Sequence, residues 1–197
     1  MIAAVAASIS CGSAVRQGRS SVYLVIDSLQ AAPGNKPSQF STAALLSDVE
    51  TIVTSGGLCT TTNPCLTVFD DFGQAVFHAP PKDVTNTTGP TTNNEITITR
   101  YRIVYRRSDG RNTPGVDVPF AIDGAATGTV PPNGTMSLSF EIVRHVAKSE
   151  SPLVQLKSNK SIISTLADVT FFGTDRVGNA VSVTGTIQVN FGNFADQ

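Results

Sequence analysis

Five arginines, Arg100, Arg102, Arg106, Arg107 and Arg111, crowd one short stretch and hold five of the 14 lysines and arginines in the chain. A guanidinium is a planar fork of donors that meets carboxylate, phosphate or sulfate oxygens two at a time. In an extended strand, alternate residues face the same way, so Arg100, Arg102 and Arg106 share a face with Val104 between them. Such a ladder suits an anionic ligand. The competing use of the same ladder is a solvated outer face, neutralised across the sheet by Asp or Glu.

Other chemistry finds little support. Catalysis needs a nucleophile beside a base, paired carboxylates or a ligand cluster. The chain carries no Gly-x-Ser-x-Gly elbow, His-Glu-x-x-His helix, Walker loop or dinucleotide glycine pattern. Its two histidines, His78 and His145, lie far apart, and each reads as a strand residue with a hydrogen-bonded ring. Asp70 and Asp71, ahead of Phe72-Gly73, offer oxygens to a calcium ion or, more simply, form a turn. The expectation is no catalytic residue, no metal and no cofactor. A net charge of −1 supplies no basic surplus for nucleic acid.

Three cysteines divide two and one. Cys59 and Cys65 enclose Thr-Thr-Thr-Asn-Pro, a loop that a local disulfide closes in an oxidising compartment. Cys11 ends the apolar run Met1–Ser10, which is too short to span a membrane and reads as the core of a secretion signal. Ser8-Ile9-Ser10-Cys11-Gly12 resembles a bacterial lipobox, which implies lipidation of Cys11 and a membrane anchor. The other reading of residues 1–11 is an ordinary buried strand with Cys11 as a small core residue. Residues 12–21, small and polar with Arg16 and Arg19, suit a tether.

The elements that must position these residues are strands. Only 15% of the chain is charged, and short β-branched and aromatic runs alternate with Gly, Pro, Asn and Ser. Ile96–Gly110 is the firmest strand. Tyr101, Ile103 and Tyr105 form one face, and Ile96 and Ile98 fall out of phase with it, which predicts a bulge near Thr99-Arg100. Further strands are expected at Val22–Leu29, from about Asp48 to Thr54, at Val116–Ile122, Thr127–Val130, Met136–Val143, Leu166–Thr174 and Ala180–Phe191. Leu66–Phe69 and Gln74–Ala79 read as a hairpin around Asp70–Gly73. Ser151-Pro152 ahead of Leu153–Leu156 predicts one short helix.

Val76-Phe77-His78-Ala79-Pro80-Pro81, Ile98-Thr99-Arg100-Tyr101-Arg102-Ile103-Val104-Tyr105 and Asp168–Ser182 together resemble the B, C and F strands of a fibronectin type III or bacterial Ig-like domain. The likeness covers roughly residues 66–191. It implies an all-β, antiparallel sandwich over residues 22–197, with an N-terminal extension and at most one short helix. It also implies a non-catalytic module for binding, spacing or assembly. With the signal, the expected setting is the periplasm or cell surface, anchored at the outer membrane. Expected partners are envelope proteins or, through the arginine face, an anionic polysaccharide or surface polymer.

Overall fold

The computed structural model describes residues 18–85, 89 and 91–194. The expected signal segment with Cys11, and residues 12–17 of the expected tether, lie outside the described residues. The end of that tether is held by the body: Ser20 is buried, Val22 bridges Pro81, and Lys82 N–H donates to the Ser21 carbonyl at 2.9 Å.

The chain is all-β. Its strands are β1 (Val25–Ala32), β2 (Leu45–Asp48), β3 (Thr51–Val53), β4 (Cys65–Thr67), β5 (Asp71–His78), β6 (Ile96–Arg106), β7 (Ile122–Val130), β8 (Thr135–Val143), β9 (Ile163–Asp175) and β10 (Ala180–Gly192). A short helix, α1 (His145–Lys148), and a 3-10 turn at Leu153–Ser158 lie between β8 and β9. The helix expected at Leu153–Leu156 is the 3-10 turn, and α1 ahead of it was not foreseen. The Ser151–Pro152 peptide between them is cis, and Pro152 caps the 3-10 turn instead of starting it. No helix among the described residues is long and apolar enough to cross a membrane.

One sheet has the order β1-β5-β8 and the other β2-β10-β9-β6-β7. Pairing is antiparallel throughout except for β2, which runs parallel to β10. The two sheets meet through aromatic side chains. Phe171 of β9 packs edge-on against Phe77 of β5 and Phe140 of β8, with ring centroids at 4.8 and 5.2 Å. Tyr101 of β6 packs on Phe140 at 5.2 Å. These rings bridge one continuous core running from Val22 to Phe191.

The bulge expected in β6 is present: pairing to both β7 and β9 slips between Ile98 and Arg100. The extra residue returns Ile96 and Ile98 to the buried face shared by Tyr101, Ile103 and Tyr105, and leaves all three arginines of the ladder outside.

Three expectations are corrected. Asp70–Gly73 is not a hairpin tip, because β5 runs straight through Asp71, Phe72 and Gly73 while Leu66 and Cys65 pair with β3. Gly73 is required there by contact, since a Cβ would stand 2.3 Å from Cζ of Phe140. Val116–Ile122 is not a strand: the N–H groups of Val116, Asp117 and Val118 converge on the Thr113 carbonyl, and Gly115 turns with φ +76°. The strand foreseen from Asp48 to Thr54 is present only as the short β3, and β2, which ends at Asp48, was not foreseen and joins a different sheet.

Candidate functional site

The structure sets each of the five arginines against an aspartate, three on the outer face of β6 and two at and after the strand's end, where Arg107 is largely covered. Asp123 of β7 faces Arg102 at 2.6 Å and Arg100 at 3.9 Å. Arg106 forks onto Asp168 of β9, with Nη2 donating at 2.9 Å, and Thr186 donates to the same carboxylate at 2.8 Å. In the following turn, Asp109 accepts both Arg107 and Arg111, whose Nη2 atoms lie at 2.7 and 2.9 Å. The hydrogen bonds from Arg107 and then Arg111 hold the Asp109 carboxyl far below the usual range. Arg106 does the same, less strongly, for Asp168.

The cross-strand neutralisation weighed against ligand binding is therefore in place. Five guanidiniums share three carboxylates, so two positive charges remain in surplus. Arg100, whose Asp123 contact is the long one, lies over the Phe172 ring at 3.7 Å from its centroid. Half of the Arg100 side chain remains exposed beside that contact.

A second constellation escaped the sequence reading. Asp71 and Lys148 are each 1% exposed and meet Oδ2 to Nζ at 2.9 Å. Ser47 of β2 donates to Oδ2 at 2.6 Å, and the Gly34 N–H donates to Oδ1 at 2.8 Å. Burial pushes the Asp71 carboxyl up, and Lys148, Ser47 and Gly34 pull it part of the way back. The Asp-Asp-Phe-Gly pattern hid this site because it reads as a turn. Lys148 gave no signal either, since lysine is seldom buried.

Neighbouring Asp70 is a different environment. It accepts the backbone N–H of His145 at 2.6 Å and lies 2.8 Å from its Nδ1. Burial opposes ionisation of Asp70, yet these His145 contacts bring its carboxyl below the ordinary value. His145 opens α1 and is not on a strand. His78, which ends β5, has Nδ1 2.5 Å from Asp27 Oδ1, but the two are not aligned as a hydrogen bond. The expectation of a hydrogen-bonded ring fails at Nδ1 of this residue. Asp70 and Asp71 turn to separate partners, and no cluster of three or more metal-ligating side chains occurs among the described residues.

Cys59 and Cys65 form the expected disulfide. It closes the loop joining β3 to β4, a two-stranded ribbon that pairs with neither main sheet. Ile52 and Leu66 stand directly opposite each other on this ribbon, 47% and 66% exposed, and Leu58, just ahead of Cys59 in the β3–β4 connection, is 89% exposed.

Compared with protein-family models, with curated proteins and with solved structures, the chain finds no match in any of the three.

Proposed function

We propose that the chain is a non-catalytic interaction module of the bacterial cell envelope, built on a fibronectin type III-like sandwich and anchored through a lipid on Cys11. The observation that carries the reading is the β3–β4 ribbon. A two-stranded ribbon is marginal by itself; here a disulfide stiffens it, and it presents Ile52, Leu58 and Leu66 to solvent. Exposed apolar residues on a rigid arm suit a protein partner. The disulfide also fits an oxidising compartment.

The strand order supports the sandwich type. In immunoglobulin-like domains B pairs between A and E, and C, F and G lie together. Strand β5, aligned with B, lies between β1 and β8; β6 and β9, aligned with C and F, are neighbours, and β10 follows as G.

Three measurements test the proposal. Lipid labelling of the full precursor is lost in Cys11→Ala, whereas an intact Met1 on the mature protein removes the anchor. Chemical cross-linking in native membranes joins the wild-type chain to a defined envelope protein, and Leu58→Asp with Leu66→Asp breaks that link. A chain that stays monomeric and partnerless under the same conditions sinks the interaction role.

A second reading rests on the two surplus charges of the arginine face. It makes the chain an accessory binder of an anionic polysaccharide or surface polymer, through Arg100, Arg102, Arg106, Arg107 and Arg111. Arg100→Ser with Arg102→Ser and Arg106→Ser then abolishes salt-sensitive retention on heparin-type resin. Unchanged retention removes this reading.

A further inference from the structure

The contact between Asp71 and Lys148 is an unusual place for two opposite charges. Both side chains are 1% exposed, so neither gains from water what an exposed ion gains. Passing one proton from Nζ to Oδ2 across 2.9 Å replaces the ion pair by a neutral amine beside a neutral carboxylic acid. Burial raises the Asp71 carboxyl, which favours that state. An amine and an acid held together without water are the two reactants of amide condensation.

We infer that Asp71 and Lys148 condense to an intramolecular isopeptide bond in the folded protein. The surroundings divide the two carboxyl oxygens by role. Gly34 N–H holds Oδ1 at 2.8 Å, where it stabilises the negative charge that develops as the carbonyl is attacked. Oδ2 is the oxygen nearest Nζ and also accepts from Ser47 Oγ at 2.6 Å, so protons reach the atom that must leave. The Nζ lone pair forms a bond to Cγ, and the Cγ–Oδ2 bond breaks. The ammonium begins with three protons and the amide keeps one. The other two depart with Oδ2 as water, and no oxidant, metal or co-reactant is consumed.

In open water the balance favours hydrolysis. Groups held in reacting geometry behave as if at about 10⁵–10⁸ M, which outweighs the concentration of water. Asp71 begins β5, and Lys148 ends α1 beyond β8, so the bond ties the first strand residue of the middle strand to the segment that follows its neighbour. Asp71 already lies opposite Val143 in the β5–β8 register, so closure adds a covalent tie to strands that are paired. Positioning falls to Ser47 and Gly34, from β2 and the loop after β1.

The test is the mass of the purified wild-type chain, unfolded and digested. The expected result is the loss of one water, with a cross-linked peptide joining the Asp71 segment to the Lys148 segment. Lys148→Arg keeps the charge and restores the lost water. Asp71→Asn loses ammonia in place of water and arrives at the same cross-linked mass. A wild-type chain with separate, unmodified Asp71 and Lys148 peptides overturns the inference. So does a water loss mapped to the Asp109-Gly110 or Asp123-Gly124 peptide, where an aspartate next to glycine dehydrates to a succinimide.

Discussion

Gly124 of β7 lies opposite Tyr101 of β6 and leaves the space that the phenol ring fills: a Cβ at 124 would stand 2.3 Å from Cζ of Tyr101. The ring that covers this glycine also packs on Phe140 of the other sheet. A side chain at 124 therefore displaces a contact between the two sheets. Gly124→Val is expected to destabilise the fold by about 1–3 kcal/mol through overpacking. Urea unfolding measures it, and an unchanged midpoint would show that Tyr101 has another place to go.

Phe171 touches Phe77, Phe140 and Tyr101, and so joins three strands around one ring. Its removal leaves a cavity that backbone on both sides keeps open. Phe171→Ala is expected to cost about 3–5 kcal/mol. Exposed Val104→Ala, on the opposite face of the same sheet, is expected to lie within about 0.5 kcal/mol of wild type.

The Cys59–Cys65 disulfide closes a loop confined to the β3–β4 ribbon. Cys59→Ser with Cys65→Ser is expected to cost that ribbon about 2 kcal/mol of local stability. Hydrogen exchange should quicken at Thr51–Val53 and Cys65–Thr67 and stay unchanged in β6 and β9. Equal acceleration in the main sheets would mean that the ribbon and the body unfold as one.

Asp168 carries a pH signature of the arginine face. Its folded carboxyl is held below the ordinary 3.8, chiefly by the Arg106 hydrogen bond. A depressed acid contributes stability that is present above the unfolded value and is lost as pH falls through the folded one. Urea midpoints should therefore fall below pH 3.8, and by less in Arg106→Ser, where the carboxyl titrates near its unfolded value. Because Arg106 is half exposed, the difference is expected to be small and to shrink with salt. Identical acid profiles for the two proteins would refute the pairing in solution.

What the sequence determined is local. Strict alternation in Tyr101–Arg106 decided which residues of β6 are buried, because a strand side chain has only two directions to choose between. The phase change at Ile98 announced the bulge for the same reason. The short spacing of Cys59 and Cys65 announced the disulfide. Tertiary structure decided the partners. The arginines meet Asp123, Asp109 and Asp168, and only Asp109 is near them in sequence. No local pattern said that β7 and β9 would flank β6. Asp71 was misread for the deeper reason that a residue's type reports its average surroundings, and a buried lysine at 2.9 Å is not an average neighbour. The chain's own periodicity set which way each side chain points; the sheet order set what it meets there.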